Sequence, residues 1–152
     1  MTQKLTTCLW LASEAEAAAL YYAKLFGSAA PSINRMPDGS VLTAHVDIFG
    51  TTFMLLNGNQ NHHFNEATSF VIDCKDQADV DRYWNAFVND GGSENMCGWC
   101  KDKFGVSWQV IPEALGRTMG GSDRAGAGRA MQAMFKMKKL IVADLEAAYA
   151  GK

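Results

Sequence analysis

Residues 104–111 read Phe-Gly-Val-Ser-Trp-Gln-Val-Ile, and this stretch decides the fold because its pattern occurs twice. A glycine gives the backbone the freedom of a tight turn, and the β-branched and aromatic residues after it favour an extended strand. Residues 49–56 read Phe-Gly-Thr-Thr-Phe-Met-Leu-Leu, which is the same pattern 55 residues earlier. The sequence therefore predicts two copies of one turn-and-strand element.

A helical stripe is repeated in the same way, at the i, i+3, i+4, i+7, i+8 spacing of an amphipathic helix. The first stripe is Ala18, Tyr21, Tyr22, Leu25 and Phe26, and the second, 62 residues later, is Val80, Tyr83, Trp84, Phe87 and Val88. Each stripe follows an apolar run, residues 5–11 and 69–74, and each ends at glycine. This pattern predicts an α+β fold of two βαβββ modules, with a deletion in the second, since the offset falls from 62 to 55 residues.

The chain of 152 residues is expected to form a single domain with a sizeable core. Four segments are predicted: module one over 1–57, a polar connector over 58–67, module two over 68–112 and a helical tail over 113–152. In the tail, Ser122 is the predicted cap of a helix that runs towards Lys138 and Lys139, and a last helix is predicted over 142–150.

Local signals place the other elements. Ser13 and Glu16 have the spacing of a capping box, which predicts the start of the first helix, and the second helix is expected to open near Asp76. Strands are predicted over 31–36, 41–49 and 51–56 in module one, and over 94–97 and 99–101 in module two.

Charge and composition exclude several classes of protein. The formal net charge is −2, and no basic run exceeds Lys138-Lys139, so the sequence has no electrostatic footprint for nucleic acid. No apolar run approaches the length of a membrane span. Four cysteines without a secretory signal are expected to be reduced thiols in the cytoplasm.

Cysteine and histidine motifs give weak signals. Cys97 and Cys100 form a Cys-x-x-Cys pair, but the pair lies among short predicted strands, whereas a redox pair needs its first thiol at a helix N-terminus. A zinc site would need two further ligands, and there is no second such pair. His62 and His63 are adjacent in the polar connector, where a solvated loop is the favoured interpretation. His45 is expected to be a half-buried polar contact on its strand.

The repeated strands give the better indication of a site. Met54 and Gln109 occupy the same place in the two copies, so they are expected to face a shared cavity. The first strand of each module adds Thr6, or its neighbour Thr7, and Ser69. Aromatic residues on or near these strands are Trp10, Trp99 and Trp108. A tryptophan in such a place more often packs in the hydrophobic core than lines a ligand-binding site.

These residues carry a resemblance to a known superfamily. Paired βαβββ modules are typical of the vicinal oxygen chelate superfamily, which is the glyoxalase and bleomycin-resistance fold. The sequence resembles the PhnB-like branch, whose members are described as demethylubiquinone methyltransferase-type glyoxalase domains. The matching segments are residues 8–10, 53–58, 69–72, 80–84, 97–99, 101–105 and 131–139.

The resemblance implies where a metal would bind. Metal-using members place a His, Glu or Gln at four positions, which fall here on Thr6, Met54, Ser69 and Gln109. Of these four, Gln109 is the one plausible ligand, because a thioether and neutral hydroxyls bind hard divalent ions weakly. A divalent metal is therefore disfavoured as a cofactor, and none is expected. Methyl transfer has no support either, since no glycine-rich nucleotide loop is found.

Two hypotheses for the function follow. The first is a metal-free, homodimeric protein that binds a small organic molecule, with a site of Thr6, Trp10, Met54, Ser69, Cys97, Trp99, Trp108 and Gln109. The second is an enzyme of the superfamily (a lyase, dioxygenase or transferase). It would use a metal held by unrecognised ligands such as His45, or Cys97 as a nucleophile with Gln109 polarising a carbonyl. The first hypothesis is preferred.

Overall fold

The computed structural model describes residues 3–152, which divide into two compact units. The first unit ends at His63. Its elements, in chain order, are β1 (Thr7–Leu11), α1 (Ala15–Phe26), β2 (Ser32–Arg35), β3 (Val41–Ile48) and β4 (Thr51–Asn57). They form a mixed sheet of order β1-β4-β3-β2, in which β1 and β4 are parallel. The first copy of the repeated stretch is therefore a central strand.

The second unit runs from Phe64 to Lys152 and has the same topology. Its sheet has the order β5-β8-β7-β6, with β5 and β8 parallel. Its elements are β5 (Phe70–Cys74), α2 (Gln77–Val88), β6 (Ser93–Glu94), β7 (Trp99–Lys101), β8 (Ser107–Pro112), α3 (Glu113–Met119), α4 (Arg124–Met134) and α5 (Val142–Ala150). The predicted pair of βαβββ modules with a helical tail is confirmed. The segment boundaries predicted for the whole domain stay a prediction.

In each unit the core lies between one face of the sheet and its helix. Along β4, Phe53 and Leu55 are buried, whereas Met54 between them is half-buried, because successive side chains of a strand point to opposite faces. The buried positions of β3 and β1 have the same alternation. They pack against the apolar side of α1, which buries Ala18, Ala19, Tyr22, Ala23 and Phe26. Among the described residues, most contacts between a helix and a sheet come from α1 and α2, and α3 touches β8 where it directly follows that strand. The face opposite α1 or α2 is the helix-free face of each sheet.

The two hairpins that enter the repeated strands differ in length. Phe49 and Gly50 join β3 to β4 with φ values of 50° and 80°, which is the two-residue turn with positive φ at both positions. In the second unit, Gly105 N–H donates to the Asp102 carbonyl, and Gly105 takes the positive φ of 86° after two other turn residues. Because this turn is one residue longer, the pairing register of β7 with β8 differs by one residue from that of β3 with β4. As a result His45 lies opposite Met54, whereas Trp99 lies opposite Gln109.

The helix starts correct one prediction and confirm another. The prediction that Ser13 and Glu16 form a capping box is wrong. The N-cap residue of α1 is Glu14, and its side chain makes no capping hydrogen bond. Instead, the side-chain oxygen of Asn57, at the end of β4, accepts from Ala15 N–H at 2.8 Å. In α2, Asp76 is the cap as predicted, with its carboxylate accepting from Asp79 N–H at 3.0 Å.

The second unit departs from prediction at two places. The strand predicted over 94–97 is confined to Ser93–Glu94, because residues 96–98 turn the chain instead. In the tail, Asp123 rather than Ser122 caps α4, which ends at Met134 before the two lysines. α3 was not predicted, and α5 has the predicted bounds. Within residues 3–152, no helix is both long and apolar enough to cross a membrane.

The tail is bound to α2 by the side chain of Gln77 and by one ion pair. The Gln77 amide oxygen accepts from Val142 N–H at 2.7 Å, and its nitrogen donates to the Leu140 carbonyl at 3.2 Å. Lys139 forms an ion pair with Asp81, one turn further along α2, at 2.8 Å. Gln77 therefore binds the tail through two backbone groups, as a neighbouring strand would.

We expect Asn57→Ala to lower the free energy of unfolding by ~1–2 kcal/mol, because α1 loses its cap and the Val41 carbonyl loses the donor that Asn57 supplies at 3.0 Å. Urea denaturation of the variant measures this change. Asn61→Ala, an exposed replacement in the connector, is the control and should change the stability by less than ~0.5 kcal/mol. Equal effects of the two variants would contradict the role of Asn57.

Candidate functional site

The helix-free face of the first sheet carries a row of three different side chains. Cys8 on β1 pairs with Met54 on β4, and Met54 pairs with His45 on β3. A thiol, a thioether and an imidazole thus lie side by side across three strands. His45 is half-buried, as predicted, and Val46, the next residue of β3, is buried on the other face. Thr6, just before β1, is half-buried and shares this side by alternation.

Trp10 lies on the same face and is held by the connector. Its indole N–H donates to the Asn59 carbonyl at 2.9 Å, and the His62 ring meets it edge-on at 4.8 Å between centroids. A Cβ added to Gly58 would lie 2.1 Å from the indole, so this position requires glycine. His62 is exposed in a loop, in agreement with the predicted solvated position, and its ring also contacts Trp10.

A cavity of about 270 Å³ opens at one end of this face. It is lined by Ala29, Ala30, Ser32, His45, Val46, Asp47 and Thr52. The Thr52 hydroxyl donates to the Asp47 carboxylate at 2.7 Å, and the Ser28 hydroxyl donates to the Asp47 backbone carbonyl. The sequence prediction missed this cavity, because Ala29 and Ala30 belong to a loop whose position depends on α1.

The second sheet presents a more polar row. Gln109 on β8 pairs with Val71 on β5 and with Trp99 on β7. The Gln109 amide nitrogen donates to the Ser69 hydroxyl at 2.9 Å, so two of the predicted site residues are brought together within this unit. The hydrogen bond fixes the orientation of the amide on the helix-free face.

Ser107 adds an unsatisfied group to this row. It precedes Gln109 by two residues on β8, so the two side chains share a face. Ser107 is 2% exposed, and its hydroxyl has no hydrogen-bond partner among residues 3–152. Buried hydroxyls in native proteins are nearly always bonded. The sequence prediction did not include Ser107, although its spacing from Gln109 was visible.

Trp108 lies on the opposite face of β8 from Gln109. It is 2% exposed, stacks on Phe87 of α2 at 5.0 Å, and donates its indole N–H to the Asp102 carboxylate at 2.9 Å. The other Asp102 oxygen accepts from Phe104 and Val106 N–H at 2.9 and 3.1 Å. Trp108 therefore belongs to the core, and Asp102 stabilises the turn before β8. Neither residue lines the helix-free face.

The two cysteines of the Cys-x-x-Cys pair are in different environments. Cys97 is half-buried in a turn with a φ of 60°, where its N–H donates to the Met137 carbonyl at 2.7 Å. Cys100 is 1% exposed on the core side of β7. Burial, assisted by the charge of Asp102, raises the pKa of the Cys100 thiol to about 12. All four cysteines are free thiols, and Cys100 is not a thiolate at neutral pH.

The donor groups do not fit a hard divalent cation. The four positions implied by the resemblance carry a thioether, two hydroxyls and one amide. Among residues 3–152 there is no group of three or more His, Cys, Asp or Glu side chains placed to hold a metal ion. The expectation that Met54 and Gln109 share a cavity stays a prediction.

Two βαβββ units, each a mixed sheet with a helix on one face, are the fold of the glyoxalase/bleomycin-resistance class of protein. Within it, this chain belongs to the 3-demethylubiquinone-9 3-methyltransferase family, which matches residues 3–111. The family match ends before α3, so the tail lies outside it. A comparison with functionally curated proteins finds no match.

Solved structures share this fold. The PhnB protein from Bacillus cereus is 29% identical with a TM-score of 0.64, and the match covers 72% of this chain and 99% of that one. A glyoxalase/bleomycin resistance protein from Albidiferax ferrireducens is 11% identical with a TM-score of 0.51, covering 70% and 95%. The fosfomycin resistance protein FosX from Listeria monocytogenes is 9% identical with a TM-score of 0.51, covering 71% and 88%.

We expect iodoacetamide to alkylate the exposed Cys8 of the native protein at pH 8 while Cys74 and Cys100 stay unmodified. Burial raises the pKa of both latter thiols to about 12, so their thiolate fraction is minute until the chain unfolds or the pH approaches that value. Peptide mass spectrometry before and after denaturation in urea measures the pattern. Native labelling of Cys100 as fast as Cys8 would contradict the buried placement.

Proposed function

We propose that this protein binds a small organic molecule on the helix-free faces of its sheets and uses no metal ion to do so. The observation that carries the proposal is the buried Ser107 hydroxyl, which lacks a partner beside the hydrogen-bonded pair of Ser69 and Gln109. Leaving such a group unsatisfied costs ~1–3 kcal/mol. A bound molecule with a hydrogen-bonding atom would satisfy it.

The surroundings of this row suit an uncharged polar group on an apolar body. Val71 is exposed and Trp99 half-buried on either side of Gln109, and they supply apolar contact. Ser69, Gln109 and Ser107 supply neutral donors and acceptors, and Lys101, which lies opposite Ser107, is ion-paired with Glu66. Small-molecule sites in proteins combine mainly apolar walls with a few placed polar groups. A carbonyl compound with an aromatic or aliphatic body fits this composition.

Methyl transfer, which the family description names, has no counterpart in these units. Nucleotide-type cofactors bind at glycine-rich turns between a strand and the N-terminus of a helix. Here residues 12–14 connect β1 to α1 and residues 75–76 connect β5 to α2, and neither connection contains glycine. The proposal of binding therefore does not extend to methyl transfer.

Catalysis by Cys97 has weaker support than binding. The nucleophile of such a mechanism must approach a carbonyl that Gln109 polarises. Cys97 is half-buried, and hydrogen bonds from Cys97 N–H and Gly98 N–H to the carbonyls of Met137 and Lys138 hold its turn against the tail. No group in this turn is placed to deprotonate the thiol. We place Cys97 at the border of the proposed site rather than at its centre.

The purified protein tests the metal and the assembly together. We propose a homodimer, as the resemblance implies, and a location in the cytoplasm, which is supported by the free thiols. Elemental mass spectrometry of never-chelated protein is expected to give far less than one transition metal per chain, and light scattering at micromolar concentration is expected to give the mass of two chains. A metal content close to one per chain would overturn the metal-free proposal, and a monomeric mass would overturn the dimer.

We expect Ser107→Ala to leave the free protein as stable as before or more stable by up to ~1 kcal/mol, since the hydroxyl it removes is unsatisfied. The same variant should bind Prodan, a neutral fluorophore with one carbonyl on a naphthalene body, ~3- to 10-fold more weakly. Urea denaturation and the emission shift of Prodan measure the two quantities.

Ser122→Ala, which removes an exposed hydroxyl from the tail, is the matched control and should change neither quantity. A large loss of stability in Ser107→Ala would show that the hydroxyl is already bonded in the free protein. Unchanged Prodan affinity in Ser107→Ala, or no Prodan binding to the unaltered protein, would count against the proposed site.

A further inference from the structure

The cavity at the end of the first sheet has a distinct charge. Of its seven lining residues, Asp47 carries a fixed charge, and none is lysine or arginine. No ion pair among residues 3–152 involves Asp47. The hydrogen bond from Thr52 occupies part of its carboxylate, which has about four acceptor positions in all. Acceptor capacity therefore remains on a carboxylate whose orientation Thr52 fixes.

We propose that this cavity binds a small organic amine, with the ammonium group on Asp47 and an apolar body directed along the sheet. This inference rests on the proposed small-molecule function and names a ligand class for the first unit. Hydrogen bonds between an ammonium and a carboxylate are about twice as strong as neutral ones. An anionic ligand would meet the like charge of Asp47 with no compensating cation in the lining.

The direction of the apolar body follows from the sheet. His45 lines the cavity and also stands opposite Met54 in the row across the strands. His45 and Asp47 are two positions apart on β3, with Val46 between them, which places their Cα atoms about 7 Å apart. A molecule whose ammonium contacts Asp47 can thus lay an aromatic ring beside His45 and the Met54 thioether, a contact that sulfur and aromatic groups favour.

The size of the cavity limits the ligand. Sites for drug-sized molecules occupy roughly 300–1,000 Å³. A volume of about 270 Å³ suits a single ring with a short side chain. Ala29 and Ala30 form one wall with small side chains.

Three molecules of nearly equal shape test the charge preference: benzylamine, benzyl alcohol and benzoate, at pH 7 and constant ionic strength. Each is titrated into ¹⁵N-labelled protein while amide chemical shifts are recorded. We expect benzylamine to give saturable shifts at Ser32, His45, Asp47 and Thr52, with an affinity at least tenfold higher than that of the other two. Equal affinities, tighter binding of benzoate, or benzylamine shifts that do not saturate or that lie elsewhere would overturn the proposal.

Asp47→Asn keeps the shape and the acceptor for Thr52 but removes the charge. It should lower benzylamine affinity to the level of benzyl alcohol, whereas Asp73→Asn, an exposed exchange on β5 of the other sheet, should leave it unchanged. Unaltered affinity in Asp47→Asn, with a dispersed spectrum that shows a folded protein, would overturn the assignment. Failure here together with Prodan binding that depends on Ser107 would remove the amine class alone and leave the proposed function standing.

Discussion

One helix can cover only one face of a four-stranded sheet, and the rest of this structure depends on that constraint. In each unit the helix after the first strand, 12 residues long, packs on one face of the sheet, and the alternating positions Phe53 and Leu55, or Trp108 and Val110, are buried on that face. The intervening positions Met54 and Gln109 are left on the other face. The chemistry of that face is thus determined by residues that the hydrophobic core does not constrain.

The length of one turn makes the two faces different. The two-residue hairpin at Phe49 and Gly50 places a histidine opposite Met54, whereas the longer turn before β8 places a tryptophan opposite Gln109. An aspartate precedes the turn in both copies, as Asp47 and as Asp102, and its environment differs between them. Asp47 lines an open cavity, but Asp102, at the corresponding place in the repeat, is buried as the acceptor for Trp108. A duplicated module has in this way acquired two faces with different side chains without changing its topology.

The sequence was informative wherever a pattern was local or repeated. Two matching stripes and two Phe-Gly strands were sufficient to predict the topology, because helical and strand periodicities are read within a few residues. Asn57 was missed as a helix cap because it acts on Ala15 across 42 residues of chain. Trp108 was included beside Gln109 as a site residue, although neighbours in a strand point to opposite faces. The cavity at Asp47 needed the position of the loop after α1, which no local signal supplies.

The two hydrogen bonds between Gln77 and the tail also bear on how the tail was acquired in evolution. The family match ends at residue 111, and the segment that Gln77 holds begins at Leu140. The Gln77 amide nitrogen also donates to Asp81 within α2 at 3.1 Å, but its amide oxygen accepts from the tail. Position 77 is therefore where homologous sequences with and without the appended helices should diverge in amino-acid type, and it offers a marker for when the extension was acquired.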